Sequence, residues 1–385
     1  MTKLETLIRK LCSDGVVFVK LGDVLGYEQP TKYIVKCKEY QDKGLPVLTA
    51  GQTFILGYTD EQDGIFEASK ENPVVIFDDF TTSFHWVDFN FKVKSSAMKM
   101  LRVQSKKEVS FRFVYYAMKC IKYQTLEHSR QWISKYSQIE IPLPPIEVQT
   151  EIVRILDKFT SLQAELEAEL DCRKRQYEYY RDKLLSFENV GGQDVEWKKI
   201  SEIVTFKNGK GHEKSIDVNG KYIVVNSKFI STNGKVKKYT NSQLCPVYKN
   251  SILMVMSDLP KGRALAKCFL VNEDDKYSLN QRVCCFEIKD CTTLVKYLYF
   301  QLNRNRQLLR FDNGVDQTNL RKNDILNISI PIPPLAEQER IVSILDRFES
   351  LTTSLTAGLP AEIAARRQQY EHYRDKLLTF KRKSA

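Results

Sequence analysis

The chain contains no run of about eighteen apolar residues, so no segment of it is expected to cross a membrane. Its nine cysteines form no C-x-x-C pair, and its four histidines, His85, His128, His212 and His372, lie far apart. The spacing fits neither a zinc framework nor a disulfide lattice; it predicts reduced, mostly buried thiols and no metal site. There is no G-x-x-x-x-G-K-[ST], G-x-G-x-x-G, G-x-S-x-G or H-E-x-x-H, and no Asn/Asp-Pro-Pro-aromatic methyltransferase motif. Asn208-Gly-Lys-Gly-His-Glu-Lys-Ser215 is rich in glycine and lysine without the spacing of a phosphate cradle, and reads as a basic surface loop. Asp78-Asp79 has no companion acids and reads as a turn. With these absences, no catalytic residue is expected and the chain is not expected to be an enzyme.

What is present is charge and length. Over 385 residues the net charge is +11, and hydrophobic residues make up 42%, enough for globular cores. The excess charge is uneven: residues 188–334 carry 23 basic against 15 acidic side chains, a net of +8, whereas residues 1–145 net only +3. A basic excess concentrated in one stretch is the electrostatic footprint of a polyanion partner. The N-terminal stretch, with Leu4, Leu7, Ile8 and Leu11 on one helical face, is too short and too charged for a signal peptide, so the chain is expected in the cytoplasm.

One stretch is written twice. I-P-L-P-P-I-E-V-Q-T-E-I-V-R-I-L-D-K-F, from Ile141 to Phe159, returns as I-P-I-P-P-L-A-E-Q-E-R-I-V-S-I-L-D-R-F, from Ile330 to Phe348. Q-Y-E-Y-Y-R-D-K-L-L-S-F, from Gln176 to Phe187, returns as Q-Y-E-H-Y-R-D-K-L-L-T-F, from Gln369 to Phe380. Repeats of this length divide the chain before any fold is assigned. They predict four segments: globular regions at 1–145 and 188–334, and long helices at 146–187 and 335–385. A weaker match of Val16 with Val195 makes the repeating unit a domain plus its helix, with internal pseudo-twofold symmetry.

Each globular region alternates short β-like runs with turn residues: residues 16–25, 33–35, 45–49, 73–77 and 86–93 in the first, and 222–225, 252–256, 268–271 and 283–288 in the second. Helices are expected at 109–122 and 294–310. The predicted class is therefore α+β, with α/β-type domains.

Each long helix begins behind prolines, which lack the donor that a first helical turn leaves unused. The first carries Ile152, Leu156, Phe159, Leu162, Leu166, Leu170, Tyr177, Tyr180 and Leu184 at steps of three and four, and the second carries Ile341, Leu345, Phe348, Leu351, Leu355, Tyr370, Tyr373 and Leu377. Such a narrow stripe among charges predicts a coiled-coil seam. The copies differ by one tetrad, L-x-A-E in the first and its T-rich equivalents in the second, or about 6 Å at 1.5 Å per residue. Gly358 and Pro360 are expected to weaken and kink the second helix.

Nucleic-acid contacts are sought among basic and hydroxyl or amide side chains near turns, because lysine and arginine position a duplex on its phosphates, while arginine, amides and hydroxyls read base edges. In the first region the candidates are Lys32, Lys36, Lys38, Lys43, Thr81, Thr82 and Ser83. In the second they are Lys207, Lys210, Lys214, Asn226, Ser227, Lys228, Lys235, Lys237, Lys238, Lys261 and Arg263.

The P-L-P-P and P-I-P-P starts, the E-x-Q-x-x-I-V-x-I-L-D-[KR]-F helix and the Y-x-x-Y-R-D-K-L-L ending resemble the conserved regions of type I restriction–modification specificity subunits. I-F-D-D-F-T-T at Ile76 to Thr82, F-K-V-K-S-S-A-M at Phe91 to Met98, M-S-D-L-P-K-G-R at Met256 to Arg263 and L-N-Q at Leu279 to Gln281 resemble that family's target-recognition domains. The resemblance covers essentially the whole chain. It implies two target-recognition domains, each reading half of a bipartite DNA site, separated by an antiparallel coiled coil. The coiled coil would set the gap and dock two methyltransferase subunits; restriction subunits with translocase activity would join them. S-adenosylmethionine, ATP and magnesium would belong to those partners, leaving this chain without a cofactor. The alternative is a coiled-coil adaptor whose basic domains bind nucleic acid without base specificity. A stand-alone nuclease is a weaker third reading.

Overall fold

The computed structural model describes residues 2–51, 53–104, 108–124, 129–187, 195–259, 262, 264–289, 291–353 and 358–384. They fall into two units that do not follow chain order: Met1–Glu167 with Glu362–Ala385, and Ala168–Ala361.

The first unit opens with α1 (Lys3–Leu11), which starts at Thr2 because the Thr2 hydroxyl accepts from the Glu5 N–H while Glu5 accepts from the Thr2 N–H. It continues through β1 (Val17–Lys20), α2 (Leu21–Val24), β2 (Leu25–Glu28), β3 (Leu45–Leu48), β4 (Ile55–Thr59), β5 (Val74–Asp78), β6 (Phe84–Val87), β7 (Lys92–Val93), β8 (Met98–Val103), α3 (Phe111–Lys119) and β9 (Glu140–Leu143) into α4 (Ile146–Ser186). One antiparallel sheet has the order β2-β8-β5-β6. A second has the order β4-β3-β7, with β3 and β7 parallel. β5 is buried from Val74 to Phe77, since alternate side chains serve opposite faces. Val75 and Phe77 join Leu101, Val114 and Trp132, while Val74 and Ile76 join Leu48, Phe91 and Met98.

The second unit repeats this plan. It runs through β10 (Glu196–Lys199), α5 (Ile200–Ile203), β11 (Val204–Asn208), β12 (Tyr222–Val225), α6 (Ser227–Ser231), β13 (Tyr239–Thr240), β14 (Ile252–Val255), β15 (Ser257–Asp258), β16 (Cys268–Leu270), β17 (Tyr277–Leu279) and β18 (Val283–Ile288). There follow α7 (Val295–Leu302), α8 (Arg306–Leu309), β19 (Thr318–Asn319), α9 (Lys322–Leu326), β20 (Ser329–Ile332), α10 (Leu335–Thr353) and α11 (Leu359–Leu377). Its sheets, β11-β18-β14-β16 and β13-β12-β17 with β12 and β17 parallel, match those of the first unit strand for strand. β14 divides its side chains as β5 does, Ile252 and Met254 to one core and Leu253 and Val255 to the other.

The duplicated motif explains how each long helix is anchored. Gln149, buried, donates to the Pro144 carbonyl at 2.7 Å and accepts from the Ser110 N–H at 2.9 Å, so one side chain ties the start of α4 to the start of α3. Gln338, also buried, does the same with the Pro333 carbonyl and the Leu294 N–H, both at 2.8 Å. The aspartate of I-L-D completes the anchor: Asp157 accepts from Arg112 at 2.9 Å, and Asp346 from Lys296 at 2.6 Å.

The two ends of the repeat pack crosswise. Leu184, Leu185 and Phe187, which close the first copy, lie against the second unit's core with Ile341 and Leu345. Leu377, Leu378 and Phe380, which close the second copy, lie in the first unit's cluster with Ile152 and Leu156. Within each unit the beginning of one helix motif meets the end of the other, so the paired helices run antiparallel.

Burial along the seam follows the density of apolar residues. Ile152, Leu156, Ile341 and Leu345, in the I-V-x-I-L segments, are buried. Phe159, Leu166, Leu170, Tyr177, Leu184, Phe348, Tyr370 and Leu377 are half-buried. Leu162, Tyr180, Leu351 and Tyr373 are 36 to 39% exposed, because one apolar residue per tetrad makes a stripe too narrow to cover. Leu355 lies outside the described residues.

The expectation of one continuous second helix is corrected: it is described as α10 and α11, and Pro360 occupies the second position of α11, where its missing N–H costs nothing. The helix expected at 294–310 is also two. Arg304 takes a left-handed conformation (φ +59°) and Asn305 caps α8 by accepting from the Gln307 N–H at 2.8 Å. The run at 33–35 forms no strand; Pro30–Tyr33 is a 3₁₀ turn, and Pro30 supplies its fixed φ.

Candidate nucleic-acid interface

In the second unit the carboxyl ends of the parallel strands β12 and β17 open on a cleft of about 630 Å³. Its walls include His212 and Glu213, Asn226 to Lys228 at the start of α6, Lys238, Asp258, Asn280 to Arg282 and Gln317. The glycine- and lysine-rich loop forms one wall, and its glycines are explained by close approach. A Cβ on Gly209 would stand 2.0 Å from the Asn280 carbonyl oxygen, and one on Gly211 would stand 2.8 Å from Gln281 and Glu213 oxygens. Two stretches noted separately in the sequence, the loop after Asn208 and Leu279-Asn-Gln281, therefore meet at one place.

His212 is a strut in this wall. Its Nδ1 donates to the Lys210 carbonyl, at 2.8 Å, and its Nε2 shares a hydrogen bond with the Ser278 hydroxyl at 2.7 Å. The ring is buried. The two acids of the cleft are internally occupied. Asp258 accepts from the Leu259, Ala264 and Leu265 N–H groups, and Glu213 accepts from the Gln281 amide at 2.9 Å.

The candidate residues divide by position. Lys228 and Lys238 are exposed on the cleft, and neither side chain has a partner among the described residues. Asn226 lines it too, but its side-chain oxygen caps α6 by accepting from the Phe229 N–H at 2.9 Å. The Ser227 hydroxyl is buried without a hydrogen-bond partner among the described residues. Lys207 is half-buried and donates to the Pro246 carbonyl at 3.0 Å. Lys210, Lys214, Lys235 and Lys237 are exposed but are not among the residues that line the cleft. Lys261 and Arg263 lie outside the described residues.

In the first unit Lys32, Lys36, Lys38 and Lys43 are exposed. The backbone N–H groups of Cys37 and Lys36 donate to Glu61 at 2.9 and 2.8 Å, and the Cys37 N–H first, then the Lys92 ammonium and the Lys36 N–H, hold the Glu61 carboxyl below the usual range. Thr81, Thr82 and Ser83 form a tight turn at the end of β5. Asp78 accepts from the Phe80 and Thr81 N–H groups, Thr82 is left-handed (φ +58°), and the Thr81 and Ser83 hydroxyls are 2.7 Å apart. Part of their hydrogen-bonding capacity is therefore spent on the turn itself.

Asp79, which the sequence marks only as part of a turn, has a buried partner. Asp79 and Lys99 are both fully buried with 3.5 Å between their charged atoms, and Asp79 also accepts from the Gln131 and Trp132 N–H groups. Burial lowers the Lys99 pKa. Lys92, also buried, pairs with Glu61 at 2.9 Å. Conversely Gln281 and Arg282 are exposed on the cleft. No sequence pattern separates these buried lysines from exposed ones; only strand pairing does. No group of three or more His, Cys, Asp or Glu is placed to hold a metal among the described residues. No described helix is long and apolar enough to cross a membrane.

The chain matches the type I restriction modification DNA specificity domain twice, over residues 13–171 and 192–365. It is 41% identical over 412 residues to the Escherichia coli type I restriction enzyme EcoR124I/EcoR124II specificity subunit, covering 99% of this chain and 98% of that one. It is 30% identical to a putative type I restriction enzyme specificity subunit of Haemophilus influenzae, over 99% and 100% of the two chains. Among solved structures, the S subunit of a type I restriction–modification system from M. genitalium superposes with a TM-score of 0.54 at 16% identity, covering 94% of this chain and 96% of that one. A chain from a type I restriction–modification assembly superposes at 0.55 and 15% identity, covering 94% and 97%. Two matches to the domain, on two units of the same strand order, together with a relative 41% identical over nearly its whole length, assign this chain to the DNA specificity subunits of type I restriction–modification systems.

Proposed function

We propose that each unit reads one half of a bipartite, asymmetric DNA site and that the paired helices set the distance between the halves. The observation that carries this reading is the duplicated sheet plan bearing different side chains, since one scaffold used twice with unlike surfaces suits two unlike half-sites. The net charge of residues 188–334 supplies attraction to phosphates, and the cleft of the second unit supplies a place for base edges.

In this reading the chain does no chemistry. It positions methyltransferase subunits, two of them docked along the helices, and restriction subunits with translocase activity join the same complex. S-adenosylmethionine, ATP and magnesium are then used by those partners in the cytoplasm. The four segments 1–145, 146–187, 188–334 and 335–385 serve as reader, spacer, reader and spacer. The seam and the exposed lysines named above are the residues through which spacing and phosphate contact act.

The test is co-expression with a cognate methyltransferase subunit, followed by mapping of modified bases across the host genome. Methylation at one interrupted, asymmetric motif is the expected result. Unchanged methylation, together with salt-sensitive binding that ignores sequence, would overturn the reading in favour of an unspecific adaptor.

A further inference from the structure

We infer that the turn at residues 280–282, between β17 and β18, carries the side chains with which the second unit tells one base from another, Arg282 foremost. This rests on the DNA-reading function proposed above and names where in the unit the reading is done.

The turn is held from three sides. The Asn280 N–H donates to the Val225 carbonyl at 3.1 Å, the Lys210 N–H to the Leu279 carbonyl at 3.1 Å, and the Met256 N–H to the Arg282 carbonyl at 3.0 Å. The Val283 N–H closes it on the Asn280 carbonyl at 3.0 Å. Gly209 lies directly against the Asn280 backbone, where a side chain of any size would push the turn away. A backbone braced in this way loses little freedom when its side chains engage a ligand, which favours specificity over mere adhesion.

The side chains on this braced turn are the ones free to bind. Gln281 and Arg282 are exposed. The Arg282 guanidinium has no partner among the described residues, and Gln281 commits one amide hydrogen to Glu213 while its carbonyl oxygen stays open. An arginine fork matches the N7 and O6 edge of guanine, and a glutamine amide matches the N6 and N7 edge of adenine. Lys228 and Lys238, exposed on the same cleft, are suited to the flanking phosphates. Asp258 and Glu213 would weaken a site built only for phosphate, yet both Asp258 oxygens are taken by backbone N–H groups and one Glu213 oxygen by Gln281, so they act as braces.

The first unit has a corresponding connection, one residue longer, at 94–97 against 280–282. There β7 leads into β8, and the Lys94 N–H donates to the Leu48 carbonyl at 3.1 Å, as Asn280 donates to Val225. The positions that follow are Ser95 and Ser96, with no amide and no arginine; the Ser95 hydroxyl accepts from the Ala97 N–H. A shared anchor to the neighbouring parallel strand, carrying different side chains, is what two readers of different half-sites require.

The experiment compares Arg282→Ala, Arg282→Lys and Gln281→Ala in the full chain with its methyltransferase, scoring the methylated motif and the binding of duplexes carrying or lacking it. Arg282→Ala and Arg282→Lys are both expected to relax one position in one half of the motif and leave the other half unchanged. The specific complex should weaken about ten- to a hundredfold while unspecific binding by Arg282→Lys stays as it was. If Arg282→Lys keeps the motif whole while Arg282→Ala weakens every duplex alike, Arg282 touches phosphate and the inference fails. It fails also if all three variants keep both motif and affinity. If the unaltered chain directs no methylation to a divided motif, the proposed function falls first and this inference with it.

Discussion

Phe159 stacks on Tyr373 with ring centroids 5.6 Å apart and planes 23° from parallel. Phe348 and Tyr180, at the matching positions of the opposite copies, repeat the arrangement at 5.8 Å and 25°. The phenylalanine closes the I-L-D-[KR]-F motif and the tyrosine belongs to the Y-x-x-Y ending, so each repeat supplies one ring to each stack. An aromatic pair of this kind contributes about 0.5–1.5 kcal/mol beyond simple burial. A double-mutant cycle with Phe159→Ala and Tyr373→Ala should show coupling of that size in the unfolding of the first unit. Additive effects would mean that the rings touch without supporting each other.

The buried pair of Asp79 and Lys99 makes a sharper stability prediction. Asp79→Ala would strand a buried ammonium and two backbone donors, at a cost of about 3–5 kcal/mol. Asp79→Asn keeps an acceptor for the Gln131 and Trp132 N–H groups and should cost less. Urea unfolding of the three proteins decides it; equal losses for both variants would contradict the role given to the backbone donors.

Acid should loosen the attachment of α1. The Arg154 guanidinium, and after it the Lys3 ammonium, hold the Glu151 carboxyl down at about 2. In an unfolded chain a glutamate titrates near 4.3. Its contribution is therefore complete above about pH 4.5 and is lost as pH falls toward 2. Glu151→Gln should flatten the pH dependence of stability in that window and leave neutral-pH behaviour of other groups unaltered, as read from unfolding midpoints between pH 2 and 7. An unchanged acid limb would rule Glu151 out as its source.

The tetrads offer a test of spacing. Removing residues 166–169 takes about one turn, or 6 Å, from α4 while nearly preserving the phase of its stripe. The gap between half-sites should shrink by about one or two base pairs at 3.4 Å each, with both half-sites unchanged. A mapped motif with its original gap would refute a measuring role for the helix.

The order of elements was largely legible in the chain because it depends on local chemistry. Prolines 144 and 145 place the start of α4 at Ile146, and the short unbroken apolar runs Val74 to Phe77 and Ile252 to Val255 mark β5 and β14. In the sequence Gly358 and Pro360 signal only a kink; in the structure Gly358 is a bend immediately before α11.

What the sequence by itself determined is the duplication, the apolar stripe and the strand content, since each is carried by residues close together in the chain. The tertiary structure alone decided that each Y-R-D-K-L-L ending packs on the unit begun by the other repeat. It also decided that Lys92 and Lys99 are buried while Gln281 and Arg282 face a cleft. The first outcome depends on surfaces that meet across more than a hundred residues of chain, and the second on ion pairs and close backbone approaches that only the assembled sheets create. A lysine on a strand carries no mark of the carboxylate that will be packed against it.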